Sequence, residues 1–316
     1  MKTLSLYVWL SLMLLLFLTP SAAQAQQPPN TQPIAKYDVI IVRPFKVGQR
    51  YRLKTRQEEQ ARSKVTVADE VKKEQAESSV LEFSAVVRVL AVNAKGMTQR
   101  AEFTVERCLR TANNAAPQVL VKPGVTLTGA IAGDQVNFYL NGKPVAEELR
   151  DALEDAADFE LGEISDDEWS QPDTPKAVGE SWALDVPKAV DSFQRAGLSF
   201  TPENLKGQIQ LNELVTGSPE NSLKVIGKIE AKSFTMPVGT EVKLVSSGFE
   251  GNFVYRLPVN RAALIPHKEG EFIVRMVMQS ATATNASAPL THNEVTMKFL
   301  SQTEPLATTP APPKRR

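Results

Sequence analysis

The stretch "FKVGQRYRL" at residues 45–53 returns as "KAVGESWAL" at residues 176–184. Both copies have a Val-Gly pair, then an aromatic residue and a leucine two positions apart: Val47, Gly48, Tyr51 and Leu53, and Val178, Gly179, Trp182 and Leu184. Glycine adopts turn angles that other residues resist, and residues two apart share one face of a strand. The stretch therefore predicts a turn into a strand whose aromatic and leucine side chains enter a core. Nothing in the shared pattern can transfer a proton or hold a metal, so we interpret it as a structural unit used twice.

Alternating apolar and polar residues surround both copies, which indicates β-strands. One face of a long strand is predicted from Leu81, Phe83, Ala85, Val87, Val89 and Ala91, and the next strand from Ala101, Phe103, Val105 and Leu109. The runs "GNFVYRLPV", "GEFIVRMVMQS" and "HNEVTMKFLSQ" predict three strands near the end. We expect a mainly β fold with minor α structure: two antiparallel β-rich halves with curved sheets and one amphipathic helix. Duplication of one β-rich half would explain the repeat, and chance is the competing explanation.

One segment has helical rather than strand periodicity. Leu149, Ala152, Leu153 and Ala156 recur at helical spacing, which predicts a helix over about residues 144–159. Asn141-Gly142 is typical of a two-residue hairpin, but Pro144 would then lie in the returning strand, where it cannot donate a hydrogen bond. We therefore expect Pro144 at the first helical position. A second, shorter helix is considered in "PKAVDSFQRAGL".

The chain ends and the junction between the halves differ in composition from the strand regions. The pattern predicts an export signal over 1–25, a flexible leader over 26–36, a β-rich domain over 37–165, an acidic and Pro-rich linker over 166–175, a second β-rich domain over 176–302 and a disordered Pro-rich tail over 303–316. The signal is indicated by the apolar run Leu4–Leu18 and the Ala23-Gln24-Ala25 exit. We expect a secreted or periplasmic protein with no membrane span after signal removal.

Charge and cysteine content exclude several functions. Lys plus Arg and Asp plus Glu both number 36, so no overall field attracts nucleic acid. The single cysteine, Cys108, cannot form an internal disulfide and does not stand at the predicted cleavage point, where a lipid anchor would need it. Cys108 is expected on a polar, acidic strand face with Glu102 and Glu106, where the thiolate is disfavoured.

The repeated motif and the strand pair "GNFVYRLPV…GEFIVRM" resemble those of uncharacterised secreted bacterial β-rich proteins of a domain-of-unknown-function type. The resemblance covers most of residues 40–302. It implies an exported β-rich fold, and that family carries no established activity to transfer. Lipid anchoring, found in many of its members, is not implied here because the anchoring cysteine is missing.

Residues with reactive side chains are scattered. His267 and His292 stand beside turn residues and are expected as solvated loop residues; no spacing indicates a metal or cofactor site, and no nucleophile motif predicts a catalytic residue. The acidic residues between 147 and 168 are interpreted as a solvated surface, with divalent-ion binding and docking of a basic partner as alternatives. The basic residues between Arg50 and Arg56 are interpreted as protection of a sheet edge, with contact to an anionic polymer or lipid head groups as the alternative.

These patterns favour a non-enzymatic exported protein that binds an apolar or amphipathic ligand. The predicted helix would lay Leu149 and Leu153 over a curved sheet and leave an apolar groove, so these two residues are the candidate ligand-binding residues. One alternative is an envelope structural or protein-interaction module, whose partner would be another envelope protein. A second alternative is a hydrolase with a carboxylate pair, because the separation of carboxylates is decided in three dimensions.

Overall fold

The structure, a computed structural model, describes residues 34–306 apart from 69, 134, 158, 160–164, 166, 218–219 and 282–287. The helices are α1 (Glu147–Ala156), α2 (Val186–Arg195) and a short 3-10 helix (Glu168–Ser170). The strands are β1 (Lys36–Tyr37), β2 (Arg50–Val67), β3 (Glu70–Val92), β4 (Thr98–Ala112), β5 (Gln118–Val119), β6 (Thr126–Ala132), β7 (Gln135–Leu140), β8 (Lys143–Pro144), β9 (Lys176–Ala177), β10 (Ser181–Ala183), β11 (Leu205–Val215), β12 (Ser222–Ala231), β13 (Val242–Pro258), β14 (His267–Ser280) and β15 (Leu290–Pro305).

Antiparallel pairing joins most of these strands into one sheet, which confirms the mainly β prediction. Within the described residues the order is β10-β11-β12-β13-β14-β15-β2-β3-β4-β6-β7-β8, and β5 pairs with β4. β1 and β9 form a separate two-stranded sheet. The last strand, β15, lies between β14 and β2, so it joins the strands of the two halves. The helices of the described chain are too short and too polar to cross a membrane.

One face of the long sheet carries two clusters of buried side chains. The cluster of the second half includes Leu211, Val225, Ile229, Phe249, Phe253 and Tyr255. The cluster of the first half includes Leu53, Phe83, Val87, Phe103, Leu127 and Phe138. The alternating residues predicted to face inward on β3 are buried from Leu81 to Val89. A division into two domains stays a prediction, because one sheet passes through both halves while each half has its own cluster.

The two copies of the repeated stretch form the same turn. Each turn spans four residues, 46–49 and 177–180. The backbone N–H of the fourth residue donates to the carbonyl of the first at 3.0 Å in both copies. The third residues, Gly48 and Gly179, have φ values of 84° and 86°, which favour glycine. The side chain of the fourth residue, Gln49 or Glu180, accepts the first amide at 2.9 and 3.0 Å. This last bond lowers the pKa of the Glu180 carboxyl.

Each turn then delivers its strand into a core. The amides of Gly48 and Gly179 donate to strand carbonyls at 2.8 and 2.7 Å. Tyr51, Leu53 and Leu184 are buried, whereas Trp182 is half-buried and donates its ring N–H to a carbonyl at 2.9 Å. The valines at positions 47 and 178 are exposed. The predicted turn into a strand with core-facing side chains is confirmed in both copies, which agrees with the interpretation of the repeat as a structural unit.

The prediction for Pro144 is wrong. Asn141 and Gly142 have φ values of 51° and 75°, and they form the two-residue hairpin turn between β7 and β8. Pro144 lies in the outermost strand opposite Tyr139, next to the hydrogen-bonded pair of Leu140 and Lys143. In an antiparallel ladder the position after such a pair directs its backbone N–H away from the partner strand, so a proline there loses no hydrogen bond. The helix therefore begins three residues later than predicted, at Glu147, with Ala146 before it.

Residues assigned to the linker and the chain ends take part in the fold. Trp169, inside the predicted linker 166–175, is only 6% exposed and belongs to the second-half cluster. Lys36, predicted to lie in the flexible leader, is in β1 and pairs with Ala177 of β9. Residues 303–305, predicted to lie in the disordered tail, are the last three residues of β15. The short helix considered in "PKAVDSFQRAGL" is present as α2, capped by the Asp185 side chain. The predicted signal over 1–25 and the rest of the tail lie outside the described residues.

Candidate ligand-binding cavity

A cavity of about 1000 Å³ lies between α1 and the centre of the long sheet. Its walls include side chains of both buried clusters, such as Leu81 and Phe159 from one and Phe272 from the other. The strands beneath it are β14, β15, β2 and β3, which are the strands that join the two halves. The cavity therefore fills the gap that the two clusters leave between them on one face of the sheet.

Three rows of side chains form the floor, because residues directly opposite in antiparallel strands point to the same face. The first row is Lys268, Ser301 and Thr55; the second is Gly270, Phe299, Gln57 and Leu81; the third is Phe272, Met297, Glu59 and Ser79. The Thr55 hydroxyl donates to the Ala156 carbonyl at 3.1 Å, which places the C-terminal end of α1 over the first row. The floor thus runs from a polar end, through an apolar centre, to a mixed outer row.

Aromatic rings make the centre of the floor apolar. Phe249, Phe272 and Phe299 stack across β13, β14 and β15 with centroid separations of 5.7 and 5.8 Å. Phe299 can lie flat over β14 because its neighbour is Gly270, where a Cβ would stand 2.3 Å from the ring. Phe159 closes the opposite side and packs on Phe103 at 5.8 Å. This part of the cavity can bury an apolar chain but offers it few hydrogen bonds.

The polar end holds an ion pair that is largely shielded from solvent. The Lys268 ammonium donates to Asp167 at 2.7 Å, and the two side chains are 17% and 20% exposed. The Tyr255 hydroxyl donates to the other oxygen of Asp167 at 2.7 Å. These bonds position the carboxylate from two strands, β13 and β14. Behind the pair lies a cavity of about 50 Å³, lined by Thr98, whose hydroxyl is buried with no partner among the described residues.

Carboxylates dominate the exposed side of the cavity. Glu147, Glu148 and Asp151 project from α1, and Glu59 lies in the third row of the floor; all four are exposed. Glu148 pairs with Arg110 at 3.4 Å, whereas Glu59 makes no hydrogen bond or ion pair with any described residue. The predicted solvated acidic surface therefore borders the cavity along the N-terminal half of α1.

The two leucines predicted to bind a ligand do not line the cavity. Leu153 is 1% exposed inside the first-half cluster, and Leu149 packs against the same cluster. The apolar residues with which α1 faces the cavity are Ala152 and Ala156. The periodicity of α1 correctly indicated an apolar face toward the sheet, but the cavity lies beside that face, over the small residues. The sequence predicted that Phe272, Met297 and Phe299 lie in strands. It did not predict that they line a cavity, because no local pattern shows which core-facing side chains lack a covering element.

Cys108 is not on the polar face predicted for it. The pairing of β3 with β4 shifts at Glu106, which has no opposite residue, so every later side chain of β4 changes face. Cys108 is consequently 2% exposed, and burial raises the pKa of its thiol to about 11. The thiolate is disfavoured by desolvation rather than by acidic neighbours.

Cys108 is therefore expected to react at least about 100-fold more slowly with Ellman's reagent at pH 8 in the native protein than in denaturant, because the thiolate is the reactive form. The folded state holds the proton more tightly, so the unfolded state ionises first as the pH rises past 9. The free energy of unfolding should fall between pH 9 and 11, and less so in Cys108→Ala. Fast labelling of the native protein would contradict this assignment.

The histidines and the basic residues of β2 also differ from their predicted surroundings. His267 and His292 lie in strands rather than loops. His292 is opposite Val277, which lies ten residues along β14 from His267, so at the rise of a strand the two histidines are about 33 Å apart. They cannot share a metal ion. β2 is an inner strand, so its basic residues do not protect an edge. Arg52 and Arg56 instead pair with Glu106 and Glu82 at 3.0 and 2.6 Å across the outer face.

Within the described part of the chain, no group of three or more His, Cys, Asp or Glu side chains is arranged to hold a metal ion. The arrangement that remains is an open space with an apolar centre and charged ends. Such a space can bind a molecule that has both an apolar and a polar part.

No family model and no curated protein sequence matches this chain. The solved structures that it resembles include one described as lipid-protein interactions in lipovitellin, at 12% identity and a TM-score of 0.32, over 86% of this chain and 27% of that one. OpdQ of Pseudomonas aeruginosa is similar at 7% identity and a TM-score of 0.22, over 82% of this chain and 98% of that one. A loop-deletion mutant of OmpT, an outer membrane protein of Vibrio cholerae, is similar at 8% identity and a TM-score of 0.12, over 80% and 100%. These likenesses are too distant to carry a functional argument, and the resemblance to the secreted family stays a prediction.

Proposed function

We propose that this protein binds an amphipathic ligand in the cavity beneath α1. The observation that carries the proposal is the cavity of about 1000 Å³ with an aromatic floor formed by Phe272 and Phe299. A space this large is at the upper end of the range that small-molecule sites occupy, about 300–1000 Å³. The apolar part of the ligand lies over the second row, and its polar part reaches one of the charged ends.

The packing around the cavity supports ligand binding over a purely structural role. Met297 is 38% exposed at the floor, although both neighbouring clusters bury their apolar side chains almost completely. Full exposure of an apolar side chain of this size costs about 1.5–3 kcal/mol relative to burial, so the exposed part of Met297 carries a fraction of that cost, which a bound ligand would remove. An envelope interaction module would not need an apolar space between its two cores, so the cavity favours the carrier or receptor class. Export to the periplasm or the cell exterior is part of the proposal.

Ala152→Trp is expected to lower the affinity for an apolar ligand at least about tenfold, because the indole ring would occupy the cavity from α1. The measurement is a titration of delipidated protein with N-phenyl-1-naphthylamine, an uncharged fluorophore whose emission rises in apolar surroundings. The wild-type protein should give saturable binding with about one site per chain.

Val259→Trp provides the matched control, since Val259 is 46% exposed and does not line the cavity. It should leave the titration unchanged. Unfolding curves of both variants establish that the fold is intact. Absence of saturable binding to the wild-type protein would contradict the proposed function. Equal binding by the wild-type protein and Ala152→Trp would show that the binding site is not the cavity beneath α1.

A further inference from the structure

The charges around the cavity are unbalanced in a chain whose overall net charge is zero. Among the described residues, the acidic side chains on the cavity face are Glu59, Glu147, Glu148, Asp151 and Asp167, and the basic ones are Arg110 and Lys268. Glu58 and Lys298 also border the cavity, but their side chains lie on the outer face of the sheet. On the cavity face this is a ratio of five carboxylates to two cationic side chains. A ligand in the cavity therefore experiences a negative local potential although the protein as a whole has no net charge.

Each basic lining side chain already has a carboxylate partner. Arg110 pairs with Glu148 at 3.4 Å and Lys268 with Asp167 at 2.7 Å. Lys298 pairs with Glu271 on the outer face at 3.1 Å. An anionic head group would have to compete with these carboxylates for every cation, and one of them, Lys268, is held in the shielded polar end.

The carboxylates keep an excess after their own partners are counted. Arg56 pairs with Glu58 at 2.8 Å, and Arg150 pairs with Asp151 at 2.9 Å and with Glu147 at 3.7 Å. With Arg150 included, five carboxylates stand against three cationic side chains among the described residues of the cavity face, while Glu58 and Lys298 pair with Arg56 and Glu271 on the outer face. Glu59 has no ion pair with any described residue.

Glu59 also stands in the floor itself. It lies in β2 directly opposite Met297 of β15 and Ser79 of β3, in the third row. A ligand whose apolar chain covers Phe299 and Met297 would bring its head group to Glu59 and the exposed acidic residues of α1. The apolar contact and the negative charge therefore act on the two ends of the same molecule.

We infer that the ligand is a cationic amphiphile, a molecule with an apolar chain and an ammonium-type head group. The inference rests on the proposed function, because it names the ligand class of the same cavity. The aliphatic chain lies over the aromatic floor, and the ammonium group donates to Glu59 with Glu147, Glu148 and Asp151 nearby. Attraction between exposed charges is screened by salt, with a Debye length of about 10 Å at 0.1 M ionic strength and 30 Å at 0.01 M.

Competition between ligands with the same chain and different head groups tests the inference. Dodecylamine, dodecanoate and dodecanol are each used below their aggregation limits to displace N-phenyl-1-naphthylamine from the full chain at pH 7. Dodecylamine is expected to bind at least about tenfold more tightly than dodecanoate at 0.01 M ionic strength, with dodecanol between them. The preference should shrink to about threefold or less at 0.5 M salt.

Glu59→Gln and Glu59→Lys locate the source of the preference. The first should reduce it about threefold and the second should abolish it, while Glu203→Gln, an exposed carboxylate outside the cavity, should leave it unchanged. Both Glu59 variants should bind dodecanol as the wild-type protein does, which separates a charge effect from a damaged cavity.

The outcomes separate this inference from the proposed function. If the wild-type protein does not bind the uncharged fluorophore, the proposed function fails. If it binds the fluorophore but takes dodecanoate as tightly as dodecylamine, the cavity function stands and the cationic ligand class is wrong. A preference for dodecylamine that persists unchanged in Glu59→Lys also overturns the inference.

Discussion

Trp169→Ala is expected to lower the free energy of unfolding by about 3–5 kcal/mol. The Trp169 ring stands perpendicular to Phe253 with a centroid separation of 5.2 Å, and it lies 6.2 Å from Phe193 of α2. Removing it would leave a cavity between α2 and β13 at the base of the second-half cluster. The measurement is equilibrium unfolding in urea, followed by far-UV circular dichroism and by tryptophan fluorescence.

Asp173→Ala is the control for Trp169, because Asp173 belongs to the same acidic, Pro-rich segment and is exposed. It should change the free energy of unfolding by no more than about 0.5 kcal/mol. If the segment were a solvated linker, both substitutions would be equally mild. A loss below about 1 kcal/mol for Trp169→Ala would mean that the segment does not belong to the core.

Gly227→Ala is expected to cost about 3 kcal/mol or more of stability, although alanine adds one methyl group. A Cβ at Gly227 of β12 would stand 1.9 Å from the Phe253 ring, which lies flat across the strand. Phe253 cannot yield, since it is 2% exposed and contacts Trp169 and Tyr255. Overpacking of a filled core costs about 1–3 kcal/mol, and occasionally more where the neighbours are rigid.

Gly248→Ala supplies the matched comparison in the neighbouring strand β13. The nearest atom to a Cβ at Gly248 is the Ala231 carbonyl oxygen at 4.0 Å, so the methyl group meets no obstacle. This variant should be as stable as the wild-type protein or more stable by up to about 1 kcal/mol, because alanine restricts the unfolded chain. Equal stability of Gly227→Ala and Gly248→Ala in thermal unfolding would show that the Phe253 ring does not cover β12.

The strands could be predicted from the sequence because their signal is local. The alternating residues from Leu81 to Val89 reach the core wherever β3 lies in the sheet, since a strand turns successive side chains to opposite faces. The repeated turn is local for the same reason: its hydrogen bonds join residues three positions apart, and its glycine needs a positive φ. The presence of α1 followed from helical spacing in the same way, whereas α2 was only considered.

The errors arose where a contact or a register shift outside the local pattern changed its outcome, or where two local patterns competed, as at Pro144. Trp169 stands in an acidic, Pro-rich segment that is typical of a linker, and its contacts with Phe253 and Phe193 show it to be part of the core. Cys108 alternates with polar residues in the sequence, but the extra residue at Glu106 turns it inward. Pro144 is accepted in β8 because the position it occupies needs no amide donor.

By itself the sequence determined the strands, the two turns that open them and the apolar faces that enter a core, because these depend on contacts between residues near one another in the chain. Only the tertiary structure decided where those faces remain uncovered. β15 returns to lie beside β2, and this pairing places Met297 next to Glu59 and creates the space beneath α1. Antiparallel strands pair through backbone groups that every residue except proline carries, so the choice of partner across more than 200 residues is made by the packing of the whole chain.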